Sequence, residues 1–331
     1  MEAKILTNIP KKELFELCMS NPYPPYRGTG LNMEKIREYQ GLLIAEKNKD
    51  PSCRTIVIYD SGKMAFILQS YNVKYLSDYF DVPMFAIGNI ITSRADVLKN
   101  KKYVAMALSN FTIRKEIGSL ISVSVPAENI GAIQSFIDQR FSYREGFMNM
   151  IASTSDREFQ WKKLVSNDIK NKEIRMASKR DIVEIEKWYS KSQFPSRFVT
   201  EEKLDSSKAM TLYGKRFREV MEPDEIDGDV MVFYADGNPA GAIIQAVDSQ
   251  LFKFCGIKAN LLSGMGLIIN PQYRRMGIGS ALVAYRQERY DEIGVKWVNL
   301  GANLNNHVMV RCLEELGFKY GSTDISLARR F

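Results

Sequence analysis

Leu267-Ile268-Ile269-Asn270-Pro271-Gln272-Tyr273-Arg274-Arg275-Met276-Gly277-Ile278-Gly279-Ser280 is the stretch on which the reading of this chain turns. A short apolar strand ends at a proline, and two glycines then open a helix whose apolar face is expected to hold Ile278, Leu282, Tyr285 and Ile293. Glycine lets a ligand phosphate approach the main chain, and the first-turn amides with the positive end of the helix dipole attract it. Arg274 and Arg275 add fixed positive charge. In physical terms the segment is a pyrophosphate cradle. It is neither GxGxxG after a first strand nor GxxxxGK[ST], so dinucleotide and Walker-type nucleotide sites fit poorly.

Working outward, the residues before the cradle read as a short strand Ile174 to Ala177, helices from about Asp181 to Ser190 and Met210 to Met221, and strands Val230 to Ala235 and Ala240 to Val247 around the turn Asp236-Gly237-Asn238. After it come a strand Lys296 to Leu300, a helix from about Asn306, and strands near Phe318 and Ile325. That succession is a mixed sheet with helices on both faces, an α/β (α+β) fold. Nearer the start are a helix around Lys11 to Met19 and the turn-rich Asn21 to Gly28, then strands Thr55 to Tyr59 and Met64 to Leu68 joined by Asp60-Ser61-Gly62-Lys63. Next are a strand Leu120 to Val125, a helix expected to present Ile130, Ile133, Phe136 and Ile137 on one face, and a strand Phe147 to Ala152.

An internal echo links the halves. Asn129-x-x-Ala132-x-x-x-Phe136-x-x-x-x-Phe141 has the spacing of Asn306-x-x-Met309-x-x-x-Leu313-x-x-x-x-Phe318, each preceded and followed by a β-rich run. Either helix caps recur by coincidence, or both halves descend from one strand-helix-strand unit. The 331 residues then divide into an N-terminal α/β domain over 1–155, a polar connecting segment over 156–172, in which Phe159, Trp161 and Leu164 suggest packing, and a second domain over 173–331.

Composition removes other classes. At 45% hydrophobic and 26% charged residues, the chain is globular. No apolar run approaches a membrane span and Met1-Glu2-Ala3-Lys4 opens no signal peptide, so the expectation is a cytoplasmic protein without a membrane role. Cys18, Cys53, Cys255 and Cys312 form no CxxC pair and His307 is the lone histidine, which argues for reduced thiols and against a metal site, HExxH or a hydrolase triad. The formal charge of +7, with many cations between Lys162 and Arg180, suits a solvated basic face, a polyanionic small molecule or nucleic acid and does not decide among them.

Arg274-x-x-Gly277-x-Gly279 resembles the [QR]-x-x-G-x-[GA] signature of the GNAT family of acyl-CoA N-acyltransferases, and Asn306 with Gly317-Phe318 matches the ends of that family's N-x-x-A-x-x-x-Y-x-x-x-G-F motif. The resemblance covers about residues 173–331. It implies a GNAT fold there, preceded by a second, degenerate GNAT-like domain. It also implies acetyl-CoA as co-substrate. The main chain of Leu267, Ile268 and Ile269 would hold the pantetheine arm and Arg274, Arg275, Met276, Gly277, Ile278, Gly279 and Ser280 the pyrophosphate, while Asn306 would face the arm.

The family places at residue 313 a tyrosine that protonates the departing sulfur, and this chain has Leu313, leaving Cys312, Tyr320 or a water as substitutes. More narrowly, Pro195-Ser196-Arg197-Phe198 and the Ala209 to Phe217 stretch resemble dTDP-fucosamine acetyltransferases, which implies a nucleotide-linked amino sugar as the acceptor amine, with Arg197 and Phe198 as its contacts. The implied partner is a small-molecule amine rather than nucleic acid, and a homodimer stays open. Two alternatives remain: a noncatalytic acyl-CoA-binding or regulatory protein, and, more remote, an aminoacyl-tRNA-dependent ligase, which does not need the pyrophosphate cradle.

Overall fold

The computed structural model describes residues 1–27, 30–110, 118–154, 160–192, 196–201, 204–221, 228–246, 259–260 and 266–331. Cys255, Phe159 and Pro195 lie outside them. The chain divides into two compact units, Met1–Met148 with Gly321–Phe331, and Asn149–Tyr320.

The first unit is built on strands β1 (Glu2–Leu6), β2 (Arg54–Asp60), β3 (Lys63–Asn72), β4 (Met84–Thr92) and β5 (Leu120–Pro126), adjacent in that order. The first four pair antiparallel, whereas β4 runs parallel to β5. Alternation sorts the side chains to two faces. Val57, Ile67 and Ile91 pack with Leu14, Leu17 and Cys18 of α1 (Lys11–Ser20) and Ile44 of α2 (Met33–Lys47). Ile56, Ile58, Phe66 and Leu68 point the other way, into a core with Tyr103 and Val104 of α4 (Val97–Ser109) and Phe136 of α5 (Ile130–Asp138). A short α3 (Lys74–Phe80) precedes β4.

The α5 face differs from the expectation. Phe136 is buried, but Ile130 and Ile137 are about half exposed, and the inward residues are Gly131, Ala132 and Ser135. Close helix packing overrides hydrophobicity here, because a Cβ on Gly131 would stand 2.2 Å from the Val97 carbonyl oxygen of α4. Only a residue without a side chain fits. Likewise Ile293 is exposed, since it follows the end of its helix.

The second unit holds an antiparallel sheet of β7 (Lys172–Met176), β8 (Gly228–Ala235), β9 (Asn238–Ala246) and β11 (Leu267–Ile269), with β11 at its edge. Helices α6 (Lys179–Lys191) and α7 (Ser206–Met221) cover one face through Ile185, Trp188, Tyr189, Phe217 and Val220. On the other lie α8 (Ile278–Glu292) and the 3-10 turn Trp161–Leu164. Trp161 sets its ring edge-on to Phe233 of β8 and Tyr285 of α8, at 6.1 and 5.8 Å between centroids, so the connecting segment packs as part of this unit. β10 (Ala259–Asn260) runs parallel to the start of β12 (Trp297–Asn303), which leads into α9 (His307–Glu315).

The echo in the sequence is a repeat of structure. β5, α5 and β6 (Ser142–Ser153) recur as β12, α9 and β13 (Lys319–Arg330), with starts moving from 120 to 297, 130 to 307 and 142 to 319, the same step of 177 and the same lengths. The two strands expected near Phe318 and Ile325 are therefore one, β13. Its stretch Asp324–Arg330 pairs antiparallel with β5 in the first unit.

The repeated helices are closed alike at both ends. The side chains of Asn129 and Asn306 each accept the N–H three residues on, both at 3.2 Å. At the far end Arg140 and Gly317 take positive φ, and Phe141 and Phe318 return an N–H to the carbonyls of Phe136 and Leu313 at 3.0 and 2.9 Å. That is a Schellman closure in each copy.

Candidate active site

The site begins at the edges of two sheets. β12 pairs with β10 at Trp297 and Val298, whereas β11 belongs to the other sheet and pairs with β9, Leu267 opposite Ile243 and Ile269 opposite Gly241. Beyond Val298 that edge of β12 has no neighbouring strand among the described residues, and β11 lies in the other sheet. The outer edge of β11 thereby presents main-chain N–H and C=O groups with no neighbouring strand among the described residues. Ile268 turns into the core, while Leu267 and Ile269 keep partial exposure. Gly241 makes room beneath them, since a Cβ there would lie 2.7 Å from Ile269 and 3.0 Å from Ile278.

Asn270 ends the strand. Its N–H bonds the Ala240 carbonyl at 2.9 Å and its side chain accepts the Gln272 N–H, starting the turn Pro271–Tyr273. Arg275 and Gly277 then take positive φ, 67° and 77°, which swings the chain into α8. Gly277 is the N-cap and offers no side chain to the first turn, so the amides of Ile278, Gly279 and Ser280 have neither a helical acceptor nor a cap. Three N-terminal amides left this way, with the helix dipole behind them, have the geometry that suits an anion.

The two glycines are not equivalent. A Cβ on Gly277 would lie 1.8 Å from the Leu164 carbonyl oxygen, because the connecting segment lies against the loop and the Ser166 N–H bonds the Met276 carbonyl at 3.0 Å. On Gly279 the nearest atom would be Ile269 Cγ1, 3.8 Å away, an ordinary contact. This reproduces the strict Gly and the relaxed [GA] of the signature from sterics alone.

The arginines carry uncancelled charge. Among the described residues neither Arg274 nor Arg275 has a carboxylate within ion-pair distance, and Arg274 Nη2 donates to the Ser192 hydroxyl at 3.1 Å. Ser280 Oγ lies 3.2 Å from Cys312 Sγ, joining the first turn of α8 to α9. Ser192 and this Ser280–Cys312 contact are functional-site geometry that the sequence did not signal, since each joins residues far apart in the chain.

The remaining candidates fall as follows. Asn306 is half-buried and caps α9 with its Oδ1. Leu313 is fully buried in the Schellman closure and has no proton to give. Cys312 is half-buried, and burial pushes its thiol up, away from the thiolate. Tyr320 is about half exposed on β13, and His307 is exposed. Phe198 is buried, with the Arg197 guanidinium 5.0 Å over its own neighbour's ring, so the aromatic packs and the cation is the more accessible of the two. Among the described residues no cluster of His, Cys, Asp or Glu could hold a metal, and no helix is long and apolar enough to cross a membrane.

The first unit repeats the frame without the cradle. β4 pairs with β5 only from Met84 to Ile87 and then continues on β3 alone. But only Ser93 to Asp96 join β4 to α4, and Asp96 caps the helix, accepting the Lys99 N–H at 2.8 Å. A carboxylate thus stands where the second unit offers bare amides. The α4 to α5 approach at Gly131 closes the gap as well, whereas the equivalent residue of α9, Val308, is 83% exposed.

Residues 183–318 match the family model described as the Acetyltransferase (GNAT) family, and this stretch is a GNAT acetyltransferase domain. No curated protein matches by sequence. Among solved structures, the chain is similar to a GCN5-related N-acetyltransferase from Sphaerobacter thermophilus, with TM-score 0.59 and 10% identity over 99% of this chain and 95% of that one. It is also similar to a tandem GNAT protein from the clavulanic acid biosynthesis pathway, with TM-score 0.52 and 12% identity over 99% and 98%. A third is the GCN5-related glucosamine N-acetyltransferase region of a fungal multi-domain GH3 β-N-acetylglucosaminidase, with TM-score 0.57 and 13% identity over 98% of this chain and 38% of that one. At these identities the likeness is one of fold. These matches extend the GNAT fold over the whole chain, and the first unit repeats the strand-helix-strand frame without the cradle.

Proposed function

We propose that the protein is an acyl-CoA-dependent N-acyltransferase that acetylates a small-molecule primary amine from acetyl-CoA, using the second unit alone. The observation that carries this reading is the start of α8 at Gly277, without a side-chain cap, a short turn after the edge strand β11. The residues present fit the co-substrate. Bare amides from Ile278 to Ser280 and the charges of Arg274 and Arg275 suit a pyrophosphate, and the open edge of Leu267–Ile269 suits the amide-bearing pantetheine arm. Asn306 caps α9, and the family resemblance would have it face the pantetheine arm.

Bound acetyl-CoA would supply a thioester carbonyl open to attack by a neutral amine. The C–N bond forms as the C–S bond breaks, with the electron pair passing to sulfur and the amine proton to solvent. The chain's own part is to orient the donor and to place main-chain N–H groups of the edge strand where charge develops on the carbonyl oxygen. It supplies no acid at residue 313. A positioned general acid contributes about 10²- to 10⁴-fold, so Leu313 slows rather than forbids a reaction whose leaving thiolate belongs to a thiol of pKa about 8.5. As acceptor we favour an amino sugar carrying anionic phosphates, supported by the positive charge of the half-buried Arg197 and the Pro195-Ser196-Arg197-Phe198 resemblance.

The test is amine-dependent release of free CoA thiol from acetyl-CoA, across a panel that includes nucleotide-linked amino sugars. Release above the amine-free rate supports acyl transfer. Binding of acetyl-CoA with no release on any amine favours the second reading, a noncatalytic acyl-CoA-binding protein, which the buried Leu313 motivates.

A further inference from the structure

The hydrogen bond from Arg274 Nη2 to Ser192 Oγ joins residues 82 apart in sequence. Ser192 is itself fixed: it is the C-cap of α6 and nearly buried, its hydroxyl donates to the Trp188 carbonyl at 2.7 Å, and its N–H bonds Tyr189 O at 3.1 Å. An arginine side chain left free samples many rotamers, and binding an anion must freeze them. Here one of its five donors is anchored to a rigid oxygen that bears no charge. A carboxylate in that place would orient Arg274 equally well but cancel its field; a hydroxyl orients it and leaves the charge for an anion.

We infer that Ser192 is the positioning residue for Arg274, holding the guanidinium ready for the phosphates of the acyl donor. This rests on the acyl-CoA reading of the Gly277 loop. The same bond ties the donor loop to the end of α6, immediately ahead of the segment Ser196–Glu201 that carries Arg197. Among the described residues no hydrogen bond joins Ser192 to the cradle's main chain, so its influence on the donor passes through Arg274.

A double-mutant cycle on CoA affinity, read by calorimetry with the full chain, tests this. Ser192→Ala should weaken CoA binding by about three- to tenfold, the size expected for losing the preorganisation of one rotamer-rich side chain. In an Arg274→Ala background the same change should have no further effect, and Ser192→Thr, which keeps the hydroxyl, should bind within about twofold of the native chain. Equal CoA affinity for Ser192→Ala and the native protein overturns the inference. So does an equal loss in the Arg274→Ala background, which would mark a purely structural serine. Failure of the native protein to bind CoA at all would overturn the acyl-CoA reading itself, an outcome distinct from either.

Discussion

At Gly277 the backbone and its surroundings impose the same demand. Its φ of 77° disfavours any side chain, and the Leu164 carbonyl occupies the space a Cβ would need. Gly277→Ala should destabilise the protein by about 1–3 kcal/mol, the range for a strained backbone position, and should abolish the loop conformation that bares the amides. Gly279→Ala, whose new methyl makes only ordinary contacts with Ile269 and Leu267 on a helical backbone, should leave stability unchanged or raise it by up to about 1 kcal/mol and retain CoA binding. Urea unfolding of the two variants separates them; equal losses would mean that the glycines serve a common purpose rather than different ones. The sequence showed both glycines and the arginines, because a local motif carries its own geometry. It could not show that Arg274 bonds Ser192, or that Phe198 is packed while Arg197 is the accessible member of the pair, since those facts depend on how distant elements meet.

Elements were legible where caps and periodicity agreed. α6 begins with a capping box in which the Ser178 N–H and hydroxyl both bond Asp181, at 2.7 and 2.6 Å, and the buried hydroxyl of Tyr234 donates to the other carboxylate oxygen. Burial works to raise the Asp181 carboxyl, but the hydrogen bonds from Ser178 and Tyr234 outweigh it and hold the group below its ordinary value. A carboxyl depressed in the folded state contributes stability above its unfolded pKa and loses it as the pH falls through the folded one. The stability difference between the native protein and Asp181→Asn should therefore be full at pH 7 and shrink below about pH 4; a difference that does not change between pH 7 and pH 3 would show that the charge plays no part. The α5 face was misread for the opposite reason. Gly131, Ala132 and Ser135 give no hydrophobic signal, yet the contact with Val97 makes their smallness the decisive property, leaving Ile130 and Ile137 at the surface.

At the scale of the molecule, one strand-helix-strand plan is used twice, 177 residues apart, and only one copy keeps the features of a phosphate site. The echo was visible in the sequence as two asparagines and two phenylalanines; what it meant was not, because the caps that made it visible are structural in both copies. Divergence lies in what surrounds the shared frame. In the first unit Asp96 occupies the helix start and Gly131 draws the helices together, while in the second Gly277 leaves the amides bare and Val308 stands exposed. The Schellman closure also explains why Leu313 is tolerated: its counterpart Phe136 is likewise a buried apolar residue receiving the same bond, so the position serves helix termination in both copies.

The central claim is that the chain holds one acyl-CoA, on the main chain at the start of α8. A crystal structure of the protein grown with acetyl-CoA tests it most directly. The account predicts a single CoA per chain, its pyrophosphate within hydrogen-bond distance of the amides of Ile278 to Ser280 and its pantetheine along Leu267–Ile269, with nothing bound at Asp96 and Val97. A CoA seated at the start of α4, or one that makes no contact with the Gly277 loop, would contradict it.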